Sequence, residues 1–343
     1  KPQFIRMMHN IGEKTEDGVL IKEAGLEHLM HLLDYCQSRD ITVMFGDWGG
    51  SIADPKQGTI NETLLRNIAE YLDFLINTKG YDCIKYYNLI NEPNGYWSQT
   101  KGDYDLWSRA VRFFWDEAGK LGLDSKISMA APDVAIWTAE ETFWVSNTAR
   151  DFPEATGIYD IHTYPSKITV NSGQYTEIIK AYKDASAPGS RIVMGEIGFK
   201  YQEPEDSGYQ AENLKRAENL AHASTEDSQM FVYDYMYGTD MADAVFQTIN
   251  AGYSGCVAWM LDDAMHYKEP GKLKIWGFWN IFGDELYGAE HETVRPWFYA
   301  WSLLCRYIPR GTDFYTVNVS GTDGIKAIAG VHDGKRTIAV VNV

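Results

Sequence analysis

The chain has 343 residues, 45% of them hydrophobic, which is enough for one large core or two modest ones. Its 48 acidic and 31 basic residues leave a formal charge of −17, which repels phosphate backbones and acidic membrane surfaces and argues against nucleic acid as a partner. No apolar run reaches the ~18 to 20 residues of a membrane-spanning helix, and Cys36, Cys83, Cys256 and Cys305 form no CxxC pair and read as buried small hydrophobes.

Taken in chain order, short apolar strands alternate with amphipathic helices. Phe4–Met8 predicts a strand, the series Leu26, Leu29, Met30, Leu33 and Cys36 a helix, and Ile41–Phe45 the next strand. Thr59-Ile60-Asn61-Glu62 reads as a capping box before a helix carrying Leu65, Ile68, Leu72, Leu75 and Ile76. Strands follow at 83–90, 127–131, 158–164, 191–197 and 254–261, with helices at 104–121, 135–147, 176–185 and 296–307. Seven strand-plus-helix units, with no GxGxxG or GxxxxGK phosphate turn, predict an α/β fold of the (β/α)₈ TIM-barrel kind rather than a doubly wound sheet. The first strand and helix of such a barrel are then expected upstream of Lys1. Past Pro309, the stretches 314–319, 324–331 and 336–343 alternate as strands, with a turn signal at Asp333-Gly334. The expected organisation is a barrel over 1–308 and the start of a β-sandwich-like domain over 309–343.

Asn91-Glu92-Pro93 closes one predicted strand and Gly195-Glu196 another, which puts two glutamates at strand C-terminal ends, where a barrel carries its chemistry. Two carboxyls ~5 to 5.5 Å apart suit a retaining glycosidase, one serving as acid and then base, the other as nucleophile. The charge of Glu196 is expected to favour the proton that Glu92 must hold. Asp47, Asp262 and Asp263 also fall at strand ends. His266 and His291-Glu292 make no metal-ligand set, and neither metal nor cofactor is expected. The 31-residue stretch from Asp262 to Glu292 is too long for an ordinary connection. Its Tyr267, Trp276, Phe278, Trp279, Phe282 and Tyr287 suit sugar stacking, together with Trp48, Tyr96 and Trp97, or a small satellite core, about half to each.

Several motifs in register resemble glycoside hydrolase clan A, the retaining (β/α)₈ enzymes. Asn88–Trp97 (NLINEPNGYW) is similar to the clan's acid/base motif, Ile192–Phe199 (IVMGEIGF) to its nucleophile strand, and Ile161–Pro165 (IHTYP) to its sixth strand. Val257–Asp263 (VAWMLDD) is similar to the eighth strand and Phe4–Met8 (FIRMM) to the second. The resemblance covers residues 1–308 and is nearest in style to family 5 cellulase-like enzymes, although Gly46-Asp47-Trp48-Gly49-Gly50 stands where those commonly carry a histidine. It implies Glu92 as general acid/base, Glu196 as nucleophile, Asn91 on the sugar 2-hydroxyl and Tyr164 donating to Glu196. His162 would line the same wall, Arg6 would lie beneath Glu196, and Trp259 would form the sugar floor. Apart from the resemblance, Asp47 by its strand-end place and Trp48 and Trp97 by their aromatic rings are further candidates for substrate contact. The implied activity is retaining hydrolysis of β-linked poly- or oligosaccharides, endo-β-glucanase or β-mannanase-like, by a monomer that is secreted, periplasmic or at the cell surface. The alternatives are an exo-acting β-glycosidase or a transglycosylase on the same residues, and a non-catalytic carbohydrate-binding barrel.

Overall fold

Apolar runs that bury both faces form parallel strands, and amphipathic runs form the helices that cover them. The computed structural model describes residues 2–9, 23–201, 204–263, 267–321 and 324–343, so His266 lies outside the described residues. Seven strands hydrogen-bond in one sheet in their chain order: β1 (Phe4–His9), β2 (Thr42–Asp47), β5 (Ile84–Asn88), β6 (Ser128–Ile136), β7 (Thr156–Thr163), β8 (Ile192–Ile197) and β9 (Gly255–Ala258). β1–β2, β2–β5 and β5–β6 pair in parallel, Arg6 lying opposite Met44 and Tyr87 opposite Met129. Parallel strands in chain order with intervening helices are the repeat of a (β/α)₈ barrel.

The chain forms two compact units. One comprises residues 3–162 and 184–195, the other 163–183 and 196–343 with the first two residues. In the first unit, β1 leads to α1 (Glu23–Ser38), and β2 to a small hairpin of β3 (Ala53–Asp54) and β4 (Thr59–Ile60). α2 (Glu62–Asp73) follows at once, then α3 (Tyr104–Lys120) after β5 and α4 (Phe143–Asp151) after β6. The cap of α2 is Asn61, whose side chain accepts from the Leu64 N–H at 3.1 Å, and not Thr59, which is taken into β4. Asparagine's carbonyl satisfies an orphan amide of the first turn, while the β-branched Thr59-Ile60 pair suits a strand. β6 runs five residues past its expected end. Val134, Ala135 and Ile136 are buried as strand residues, and α4 starts at Phe143 rather than Ala135. Met44, Ala130, Ile158 and Val193 form a buried cluster across β2, β6, β7 and β8, with Phe4 and Tyr86 packed on it.

The second unit holds α5 (Lys167–Asn171), most of α6 (Gln174–Ala185), α7 (Ser207–Glu218), α8 (Tyr235–Asn250), β9, α9 (Gly283–Tyr287) and α10 (Trp297–Tyr307). A three-stranded antiparallel sheet closes it: β10 (Asp313–Tyr315), β11 (Ile325–His332) and β12 (Lys335–Asn342). Asp333 and Gly334, at φ +48° and +75°, turn β11 into β12 as a type I′ hairpin requires. Ile328 and Val341 of this sheet bury against Phe246 of α8 and Leu304 of α10. Among the described residues no helix is long and apolar enough to cross a membrane.

Candidate active site

Beyond the end of β5 the backbone turns sharply, with Glu92 at φ +47°, a conformation L-residues avoid. Asp133 on β6 holds that turn: its Oδ1 accepts the Glu92 N–H at 3.3 Å, while Arg6 Nη2 from β1 donates to its carboxylate at 3.1 Å. The same Arg6 nitrogen donates to Asn91 Oδ1 at 2.8 Å. The Glu92 carboxylate is gripped from two sides. Trp97 Nε1 donates to Oε2 at 2.8 Å, and His162 Nδ1 lies 3.1 Å from Oε1. His162 is fully buried, with its Nε2 3.3 Å from Asp133 and 3.8 Å from Asp160.

Burial pushes the Glu92 carboxyl upward, but the His162 hydrogen bond and charge, the Trp97 hydrogen bond and the Arg6 charge outweigh it and hold the group below the usual glutamate range. These neighbours therefore favour the ionised form of Glu92, opposite to the expectation of a proton held there.

Glu196 is the penultimate residue of β8 and is nearly fully buried. Tyr164, just past β7, donates its hydroxyl to Glu196 Oε2 at 2.5 Å. The tyrosine ring is itself fixed, edge-on to Trp276 at 5.5 Å, with Lys200 Nζ 4.9 Å above it. A Cβ on Gly198 would come within 3.1 Å of that ring and 3.0 Å of Trp276, so the glycine lets the strand end pass close to both. Trp259 follows β9, is half-buried and donates its backbone N–H to Ile197 O at 2.9 Å; the Trp259–Met260 peptide is cis.

Each expected site residue thus has a place. Arg6, Asn91, Trp97 and His162 gather around Glu92, whereas Tyr164 sits on Glu196. Asp47 is buried and bonded to the Gly49 N–H at 2.7 Å, a turn-forming contact, with Trp48 half-buried beside it. Gly46, in the segment that stands where family 5 enzymes commonly carry a histidine, leaves no room for a side chain: an added Cβ would lie 2.7 Å from Asn88 Oδ1 and 2.8 Å from Met8 Sδ. In the long loop, Trp276 and Phe278 are buried while Tyr267 and Trp279 are exposed, and Asp263 is structural. It accepts the Trp276 and Gly277 N–H groups and a two-point bond from Arg295 at 2.7 Å.

Three functional candidates escaped the sequence reading: Asp133, Asp160 and Trp137. The available signal was a charged residue inside a both-faces-buried strand, in Pro132-Asp133-Val134 and Tyr159-Asp160-Ile161, since a carboxylate enters such a strand only with a purpose. Asp133, Asp160 and His162 each offer a ligand atom within 4.8 Å of the others. The Arg6 guanidinium already pairs with the Asp133 carboxylate, while Asp160 has His162 Nε2 at 3.8 Å.

No protein-family profile and no curated protein matches the sequence. Solved structures do. A monomeric β-xylosidase from Caulobacter crescentus CB15 superposes with a TM-score of 0.62 at 14% identity, over 99% of this chain and 67% of its own. A GH30 endoxylanase from Clostridium papyrosolvens C71 gives 0.62 at 13%, over 99% and 74%. The fold is the (β/α)₈ barrel that these clan A glycoside hydrolases share. A GH5-4 broad-specificity endoglucanase from Clostridium longisporum matches over 81% of this chain and 76% of its own, with a TM-score of 0.52 at 14% identity.

Proposed function

We propose that the chain is a retaining O-glycoside hydrolase acting on β-linked poly- or oligosaccharides, with Glu92 as acid/base and Glu196 as nucleophile. The observation that carries this reading is the different wiring of two glutamates at C-terminal ends of parallel strands in one sheet. Glu196 accepts from the Tyr164 hydroxyl, which fixes the orientation of its carboxylate; Glu92 shares a hydrogen bond with a histidine able to carry a proton. The names of the structural neighbours, a β-xylosidase, an endoxylanase and an endoglucanase, favour β-linked glycans, with xylan and glucan the first substrates to try and mannan beside them.

In the first step a Glu196 carboxylate oxygen attacks the anomeric carbon, the glycosidic C–O bond breaks, and the leaving oxygen takes the proton held by the Glu92–His162 pair. In the second, Glu92 takes a proton from water, the hydroxide oxygen attacks the glycosyl ester, and Glu196 leaves as carboxylate; one water is consumed per bond. Arg6 binds the Asn91 carbonyl oxygen and so turns its amide NH₂ outward, toward a 2-hydroxyl whose hydrogen bond strengthens in the transition state.

Proton NMR of the first-formed sugar from a β-linked oligosaccharide tests the reading. The β-anomer is expected to appear first and mutarotate later, and Glu196→Gln is expected to abolish its formation. Initial release of the α-anomer overturns the mechanism.

A further inference from the structure

We infer that the groove between the β3–β4 hairpin and the loop 97–101 receives the leaving-group portion of a neutral oligosaccharide, for more than one sugar ring beyond the cleaved bond. The inference rests on Glu92 being the acid/base. A general acid must lie beside the oxygen that departs, and the groove shares a wall with Glu92: Trp97, whose indole N–H donates to the carboxylate, also lines the groove.

The groove measures about 960 Å³ and is lined by Asp54, Lys56, Thr59, Asn61 and Gln99 besides Trp97. That lies at the top of the ~300 to 1,000 Å³ range of ligand pockets and is more than one pyranose needs. Its chemistry is amide, hydroxyl and charges of both signs in equal number, Asp54 and Glu62 against Lys56 and Lys101, with one aromatic wall, which matches a ring of hydroxyls with an apolar CH face and matches no net ionic ligand. Tyr96 and Trp137 meet Trp97 edge-on at 4.9 and 5.9 Å, and all three rings stay open to solvent, at 82%, 45% and 47% exposure respectively.

Both walls are held in place before any ligand arrives. The Pro93 carbonyl accepts from Ser98 Oγ at 3.1 Å and Thr100 Oγ1 at 2.7 Å, and Asn94 clamps the loop to Ala135 through two backbone bonds at 2.7 and 3.0 Å. On the hairpin side Asn61 ties its N–H to Ile52 O at 2.8 Å, and Arg109 donates to Gly58 O at 2.9 Å. Preorganised walls lower the ordering cost of binding a flexible chain.

The test uses the full chain and three probes: cellohexaose, mannohexaose and xylohexaose. Binding is measured by calorimetry in a Glu196→Gln background, with and without Lys56→Ala/Gln99→Ala, and with Thr59→Trp as a second variant that fills the groove. Dissociation constants are expected to rise about tenfold, the scale of one lost sugar contact. In the active protein the ratio of kcat/KM on the hexasaccharide to kcat/KM on the matching nitrophenyl glycoside is expected to fall by a similar factor. Unchanged binding in both groove variants, or no binding of any hexasaccharide, overturns the groove. Failure of the glycosidase reading shows differently, as wild-type protein that binds but turns over neither hexasaccharide nor nitrophenyl glycoside.

Discussion

A buried histidine lies between two carboxylates, one of them the proposed acid/base Glu92. His162 spans Glu92 at 3.1 Å and Asp133 at 3.3 Å, and its hydrogen bond and charge are the largest influences that hold Glu92 down against burial. A general acid works only while protonated, so a depressed Glu92 makes kcat/KM fall as pH rises from a lower value than an isolated buried glutamate would show. Replacing His162 by Gln removes the charge and leaves burial less opposed. The Glu92 pKa then rises, and the alkaline limb of the kcat/KM profile is expected to move to higher pH. A limb that stays put, or moves to lower pH, shows that the histidine does not set this proton. Glu92 and Glu196 could be read in the sequence because each sits in a local strand-end motif. Asp133 carried only the weaker signal of a charge inside a buried strand, and its role was not legible because its partners Arg6, Glu92 and His162 stand on three other segments, up to 127 residues away.

Between neighbouring strands, glycines make room for longer side chains. A Cβ on Gly195 of β8 would fall 2.1 Å from Asp160 Oδ1 of β7, and one on Gly157 of β7 would fall 2.4 Å from Ser128 Cβ of β6. Asp160 is fully buried, so it cannot swing into solvent to relieve the clash. Gly195→Ala is therefore expected to destabilise the protein by about 1 to 3 kcal/mol, read as a lower midpoint in urea. An unchanged midpoint means that the backbone there yields freely. Element existence was legible from apolar periodicity, but ends were not. The run Val134-Ala135-Ile136 fits helix and buried strand equally well, and β6 took it because both of its faces are covered. Thr59 likewise carries a capping side chain but is claimed by a two-residue strand paired with Ala53-Asp54.

At the scale of the whole chain, the alternation of seven strands with helices was enough to predict the barrel, because parallel strands in chain order admit few other solutions. The long Asp262–Glu292 segment divided as its composition allowed, with Trp276 and Phe278 packed inward and Tyr267 and Trp279 left outside. Net charge specified none of this, yet it bears on which glycans can approach. A charge of −17 surrounds the molecule with a repulsive field for polyanions, screened over ~8 Å at physiological salt and over about 30 Å near 0.01 M. On carboxymethylated glucan kcat/KM is expected to rise about threefold or more as salt increases from about 0.01 to 0.15 M, whereas on the uncharged parent polymer it stays flat. Equal salt responses on the two polymers would mean that the binding surface is electrically isolated from the acidic remainder. A rate on the charged polymer that falls with salt would locate a basic patch at the site, strong enough to reverse the field of the whole protein.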